Sequence, residues 1–455
     1  MNEIGQAYLF AARWIIPFLS VLLIVLLGGY LLKENKKTDN GESFSNSKKV
    51  KIKRVKPATH ALPLFLLVLI QVLIMSELLF FAPPESAMTV MVCFLALIAV
   101  TFGVSILAKY ALKSSAQIEL TALFLTTIGF SVILSASPGS AYKQLAALGF
   151  GIAVYYVLLA FIKNQKIAVK LKYPAAIAAV AFLAVNLAIG TAFNGAKNWI
   201  DFGFVTIQPS EFVKVLFVLA AAGTAEWITE RKNLFLFSSF SAALVGLLFV
   251  MDDFGTALIF FVAYIVAAYL MFGGKPVIAA FIAAIAGGAG IALISPRVFS
   301  RFSVWRNVFE QANARGYQQS RTLIALASGG LLGLGGSKGF LRKVSESDTD
   351  IVFGIIGEEY GLIVALCAAA CIALLFCGSL KGLKHESHTW YAIAACTAAG
   401  LMLFQTSLNI FGSTDLLPLT GVTFPFVSNG GSSMIACWGL LAFLKAIYVK
   451  KSQTA

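Results

Sequence analysis

Charge is scarce in this chain. Only 12% of its 455 residues are Asp, Glu, Lys or Arg, against about a quarter in an ordinary soluble domain. Hydrophobic residues make up 59%, and the mean hydropathy is +0.86. These figures exclude a soluble enzyme and a disordered chain. Cysteine is also sparse: Cys93, Cys367, Cys371, Cys377, Cys396 and Cys437 all lie inside apolar runs, and none forms a CxxC pair. A secreted disulfide scaffold is therefore excluded, and packing against helices or lipid is the expected role. Cys367 and Cys371 share a helix face without a His partner, so no metal site is expected there. The three histidines, His60, His385 and His388, flank apolar runs and form no catalytic set. The Met-Asn-Glu-Ile start lacks the basic residues of a signal peptide, so the first apolar run is expected to be a retained span.

What is present is a series of apolar runs of about 20 residues, the length a hydrocarbon core about 30 Å thick requires. Thirteen are expected to span, at 8–32, 61–82, 87–108, 118–137, 144–162, 173–193, 211–229, 235–250, 255–273, 276–295, 351–377, 390–411 and 432–449. The fold class is an all-α polytopic membrane protein, because helices satisfy their own backbone groups in lipid. If all thirteen cross, the basic clusters fall on one side: the nine Lys and Arg of segment 33–60, Lys109/Lys113, Lys163 to Lys172, Arg231/Lys232, Lys275, Lys381/Lys384 and Lys450/Lys451. The positive-inside rule then puts the N-terminus outside and the C-terminus in the cytoplasm. The net charge of +14 thus reflects topology, and no nucleic-acid partner is expected. Segment 33–60 reads as a solvated cytoplasmic linker, able to touch anionic headgroups at about 1 kcal/mol per well-placed basic residue.

The informative loops face outward in this topology. One, from Asn194 to Ser210, leads into Glu211 and Lys214, an i,i+3 pair on the first turn of a span. Such a pair shares a helix face, and ionisable groups within membranes default to function. A second loop, 296–350, carries Arg297, Arg301, Trp305, Arg306, Glu310, Arg315, Tyr317 and Arg321, then Glu346, Asp348 and Asp350. Its guanidinium groups suit phosphate or pyrophosphate recognition. Its GLGGSKG stretch, 333–339, lacks Walker A spacing. A third segment, 414–433, contains Pro418, Gly421, Pro425, Gly430 and Gly431, which forbid a simple helix. Non-helical backbone at membrane depth survives when buried in protein or lining a wet cavity. Asp252 and Asp253, at another outer helix start, add two carboxylates to the same face.

Together these elements resemble the SEDS (shape, elongation, division and sporulation) family of FtsW, RodA and SpoVE. The resemblance rests on Asn194-Gly195-Ala196, Trp199-Ile200, Gln208-Pro209-Ser210-Glu211 with Lys214, and Asp253-Phe254-Gly255-Thr256-Ala257. It continues through Gly316-Tyr317-Gln318, Ser328-Gly329-Gly330, Thr349-Asp350, Gly357-Glu358-Glu359, Gln405, Asn409, Pro425-Phe426, Ser428 and Gly430 to Ser433. These motifs arrive in family order over about 115–450. The implied organisation is a ten-span core, 115–455, with a large extracellular loop at 296–350, preceded by accessory spans in 1–114.

The resemblance implies a peptidoglycan glycosyltransferase of the bacterial cytoplasmic membrane. It would polymerise lipid II on the outer face, in division, elongation or sporulation, beside a class B penicillin-binding protein. A sugar hydroxyl attacks an anomeric carbon and undecaprenyl pyrophosphate leaves. The chemistry calls for a carboxylate base and for cations at the pyrophosphate, with Mg²⁺ or Mn²⁺ as a candidate cofactor. Three positions depart from the family pattern: its loop Asp is Gln311, its Arg before the loop Trp is Asn198, and its His of His-Thr-Asp is Asp348. The expected catalytic group is Glu310, Gln311 and Asp350, with Glu310 as base. Lys197, Lys214 and Arg315 are expected at the pyrophosphate. Trp199, Gln208, Ser210, Glu211, Asp253, Tyr317, Glu346, Asp348, Ser428 and Ser432 complete the expected substrate site. A catalytically silent scaffold or regulator of a penicillin-binding protein, and a lipid II flippase, are the alternative readings.

Overall fold

A computed structural model describes residues 3–33, 61–81, 84–193, 196–203, 206–224, 231–294, 296–383 and 389–454. The basic segment 33–60 lies outside the described residues except for its first position, as do Asn194, Gly195, His385 and His388. Among the described residues the chain is helical, with one small three-stranded antiparallel sheet. Among the described residues eleven helices are long and apolar enough, by length and composition, to cross a membrane. This is a multi-pass membrane protein.

Among the described residues three α-helices precede residue 115: α1 (Glu3–Lys33), α2 (Ala61–Phe81) and α3 (Ala87–Tyr110). Then come α4 (Gln117–Ala136), α5 (Ala141–Ile162), α6 (Gln165–Lys170) and α7 (Lys172–Ile189). A hairpin region, β1 (Thr191–Phe193), β2 (Ala196–Asp201) and β3 (Thr206–Ile207), leads to α8 (Pro209–Thr224), α9 (Arg231–Val250), α10 (Phe254–Phe272) and α11 (Gly274–Ile294). The long loop holds α12 (Pro296–Val304) and α13 (Tyr317–Gly329), and the chain ends with α14 (Val352–Glu359), α15 (Gly361–Leu383), α16 (Thr389–Ser413) and α17 (Gly431–Thr454). Among the described residues each of the thirteen apolar runs overlaps helix, the run 173–193 ending on strand β1, but α8, at 16 residues, and α11 are not among the eleven.

Helix α4 is the hub: its spanning window is buried throughout. It packs against α1, α2, α3, α5, α14, α15 and α17. Close approach is set by Gly129, where a Cβ would lie 2.5 Å from the Val427 carbonyl oxygen. At the end of the bundle away from the hairpin, the Lys445 ammonium meets the Glu119 carboxylate at 2.8 Å, and the Tyr155 hydroxyl donates to the same carboxylate at 2.7 Å. This buried polar node ties α17, α4 and α5 together.

The apolar run 351–377 is two helices rather than one. Gly361 adopts φ +85°, and a Cβ there would sit 2.3 Å from the Leu331 carbonyl oxygen. Backbone following α13 threads through this break: Leu362 N–H donates to Gly330 O at 2.9 Å, and Leu334 N–H to Glu358 O at 2.8 Å. The break is marked in the sequence by Glu358-Glu359 and by Gly361, which has no side chain to obstruct the crossing backbone.

Candidate functional site

Six segments build one polar cavity of about 150 Å³. Strand β2 supplies Asn198 and Trp199, the first turns of α8 supply Glu211 and Lys214, and the α9–α10 junction supplies Asp252 and Asp253. The long loop contributes Arg301, Glu346, Thr349 and Asp350. Gln405 of α16 and segment 420–433, irregular up to the first turn of α17, close the wall.

Lys214 is 1% exposed. Its ammonium donates to Glu211 Oε1 at 2.7 Å and to Gln405 Oε1 at 2.8 Å, while Gln405 Nε2 donates to the Thr423 carbonyl at 2.8 Å. A buried ammonium is stable only when paired in this way. The i,i+3 spacing seen in the sequence makes the pair, and Gln405 ties it to the irregular wall.

Asp253 caps α10: Oδ1 accepts the Thr256 N–H and Oδ2 accepts Asn198 Nδ2, both at 3.1 Å. With both oxygens engaged it joins the hairpin to α10, a positioning role. Asp348 likewise clips two segments together. Its Oδ2 accepts Asn429 Nδ2 at 2.8 Å, and its carbonyl accepts the Asn429 N–H at 2.8 Å. Ser428 Oγ donates to the Thr349 carbonyl at 2.6 Å, and Ser432 Oγ accepts the Gln208 N–H at 3.4 Å.

Asp350 is the group most suited to proton transfer. Its carboxyl is pushed up to about 7, first by burial and then by the neighbouring Glu346, against a smaller opposing pull from Thr349 and Arg301. A base poised near neutrality is what general-base chemistry requires. Its backbone is fixed by Asn409, whose Nδ2 donates to the Asp350 carbonyl at 3.0 Å.

Three buried lining atoms, Asn198 Oδ1, Glu211 Oε2 and Thr420 Oγ1, have no protein partner. Such groups cost about 1–3 kcal/mol each when unsatisfied, so the cavity is built for a polar ligand or water. Five carboxylates line it against the two cations Lys214 and Arg301. That excess suits a divalent cation held by one or two carboxylates together with phosphate oxygens. Among the described residues no three His, Cys, Asp or Glu side chains converge to hold a metal by themselves.

The structure thus brings together Trp199, Gln208, Glu211, Lys214, Asp253, Glu346, Asp350 and Ser432 on the cavity wall, with Asp348 and Ser428 directly behind it. Ser210 is buried beside them. Other expected residues stand elsewhere. Glu310 and Arg315 are exposed and do not line the cavity. Gln311 closes a local turn, donating to the Ser303 carbonyl at 3.3 Å and accepting the Gly316 N–H at 3.0 Å. Tyr317 lies under the Arg321 guanidinium. Lys197 points outward and holds the Met251 carbonyl only through its N–H. Sequence reasoning gave no site role to Asn198 or Gln405, and named Arg301 only among the loop guanidinium groups suited to phosphate. For Gln405 the available signal was an amide inside an otherwise apolar span.

A family model described as a cell cycle protein, FtsW/RodA/SpoVE, matches residues 115–453. This chain belongs to the FtsW/RodA/SpoVE family. Within it, the peptidoglycan glycosyltransferase RodA of Mycobacterium leprae (strain TN) is 28% identical over 333 residues, covering 68% of this chain and 70% of its own length. The probable peptidoglycan glycosyltransferase FtsW of Tolumonas auensis is 35% identical over 292 residues, covering 60% of this chain and 73% of its own. The fold is similar to the crystal structure of Thermus thermophilus rod shape determining protein RodA, with a TM-score of 0.56 at 23% identity over 74% of this chain and 96% of that one. A chain from a peptidoglycan synthase complex gives a TM-score of 0.63 at 23% identity, over 75% of this chain and 99% of that one. The match begins after α3, so α1–α3 precede the FtsW/RodA/SpoVE region.

Proposed function

We propose that this protein is a peptidoglycan glycosyltransferase that polymerises lipid II at the outer face of the bacterial cytoplasmic membrane. The observation that carries the reading is the single cavity in which Lys214, Arg301, Glu346 and Asp350 meet between the family's motifs. Relatives named as glycosyltransferases support it. The concentration of basic residues in the opposite loops supports an outward cavity.

In this reading Asp350 takes the proton from the attacking sugar hydroxyl, and Glu346 keeps that carboxyl basic enough to do so. Lys214 and Arg301 face the departing pyrophosphate, where fixed cations stabilise developing charge. A divalent cation, when bound, would add charge neutralisation at the pyrophosphate, with Glu211 and Asp252, the lining carboxylates outside the Glu346–Asp350 pair and the α10 cap, placed to hold it together with phosphate oxygens. Asp253 and Asp348 hold the walls in register. Glu310, exposed and not part of the cavity lining, has no part in proton transfer. A class B penicillin-binding protein is the proposed partner, a reading supported by the similarity to a chain of a peptidoglycan synthase complex.

The test is polymerisation of labelled lipid II by the purified protein with Mg²⁺ or Mn²⁺, alone and with the cognate penicillin-binding protein. Wild type and Glu310→Gln are expected to make polymer, and Asp350→Asn to lose about 10²–10⁴ in rate. Absence of polymer from folded wild type under both conditions would overturn the enzyme and leave a scaffold.

A further inference from the structure

The glycine-rich stretch 333–339 has few side chains with which to hold its own shape. Gly333 and Gly335 lie at φ +82° and +109°, and Ser337, a non-glycine, at +61°. Such backbone persists only when its surroundings over-determine it. Eleven residues beyond its end, the same chain presents Asp350 to the cavity, after Glu346 and Thr349.

The stretch is gripped from two sides. From the family region, Glu358 accepts the Phe340 and Leu341 N–H groups at 3.0 and 2.9 Å, and the Glu359 carbonyl accepts the Gly335 N–H at 2.8 Å. From the other side comes Glu77 of α2, which precedes the family region. Its Oε1 accepts the Gly336 N–H at 3.0 Å across 259 positions of sequence. A Cβ on Gly335 would lie 2.4 Å from Leu9 of α1 and 3.1 Å from Glu77 Oε1, so both accessory helices press on this turn. Lys338 then sets its ammonium over the Phe81 ring at 4.0 Å. Lys338 and Arg13 are the charged groups facing Glu77.

Glu77 is 1% exposed. A charged group within a span is costly to insert and is kept where it performs a task. We infer that Glu77 is a positioning residue: α1 and α2 brace the glycine-rich stretch, and through it hold Glu346–Asp350 in catalytic register. The accessory spans are therefore part of the working site rather than an appended anchor. The catalytic half of this inference rests on the glycosyltransferase reading, and the bracing half does not.

The experiment compares full-length wild type with Glu77→Gln, which keeps a carbonyl acceptor, Glu77→Leu, which removes it, and Glu85→Gln as a control on an exposed carboxylate after the same helix. Amide hydrogen exchange in detergent is expected to quicken about tenfold over 335–350 in Glu77→Leu, with α16 and α17 unchanged. The kcat for lipid II polymerisation should fall about tenfold at a KM within about twofold. Glu77→Gln and Glu85→Gln should stay near wild type in both readouts. If Glu77→Leu does not fold, Phe81→Leu, which removes the ring beneath Lys338, takes its place with the same expectation. Unchanged exchange over 335–350, loss of protection spread evenly over all helices, or equal damage from Gln and Leu would overturn the brace. Quickened exchange with kcat unchanged would overturn its catalytic half. If wild type makes no polymer, the enzyme reading fails and the exchange result alone decides the brace.

Discussion

Replacing Asp350 by Asn removes one ionisable oxygen and keeps the shape of the side chain. The backbone carbonyl that Asn409 holds is untouched. Loss of a general base costs about 10²–10⁴ in rate, or about 3–5 kcal/mol in barrier. Because the wild-type carboxyl sits at about 7, kcat/KM for lipid II should rise with pH through that value and level off above it. Glu346→Gln removes a neighbouring charge that raises the carboxyl, so the rising limb should move to lower pH. The same elevation has a cost in stability. Between the ordinary carboxylate range near pH 4 and about pH 7 the unfolded chain has ionised while the folded one still holds its proton. Stability therefore falls as pH rises across that window and is flat above it. Three pH units at about 1.4 kcal/mol each set a ceiling near 4 kcal/mol, and partial exposure of Asp350 reduces this to about 1–2 kcal/mol. Asp350→Asn, unable to ionise, should thus be inactive yet more heat-stable than wild type at pH 8 and equal to it near pH 4. The assays are labelled lipid II polymerisation across pH 5.5–8.5 and thermal unfolding in detergent, the pH limits being about 1.5 units either side of the midpoint. A flat rate profile, or an Asn variant as active as wild type, would refute the base assignment.

Lys214→Met strands Glu211 in the cavity wall and should destabilise the protein by about 3–5 kcal/mol. Pairing it with Glu211→Gln should restore the melting temperature without restoring polymerisation. At the opposite end, Lys445→Met leaves Glu119, which is 0% exposed, without its cation. The same instability is expected there, repaired by Glu119→Gln with full recovery of polymerisation, because that pair lies outside the cavity. Gly129→Ala puts a methyl against the Val427 backbone and should cost about 1–3 kcal/mol by overpacking, read as a lower melting temperature and accompanied by a lower rate, since Val427 belongs to the cavity wall segment.

Much of the site was legible because its chemistry departs from a uniform apolar background. Glu211 and Lys214 stand out at the start of an apolar run, and their spacing alone places them together. The prolines and glycines of 414–433 mark backbone that cannot be helix and must be buried or wet. Asp350 was visible as a carboxylate in an outer loop, but so was Glu310. Residue type and loop position do not separate two acids one of which is folded inward; only the family motif Thr349-Asp350 sets Asp350 apart. The choice depends on where the break at Gly361, the α13 turn and the glycine-rich stretch direct the chain.

The sequence by itself determined the membrane class, the positions of the helices and the family. Each of those follows from local properties: apolar run length, charge placement and short motifs read in order. Tertiary structure alone decided that Asp350 enters the cavity while Glu310 and Arg315 stay outside, and that Gln405 is the second partner of Lys214. It also placed Glu77, ahead of the family region, against Gly336. These are contacts across tens to hundreds of residues, and they exist because backbone and side-chain polar groups removed from water take the partners that packing brings within reach.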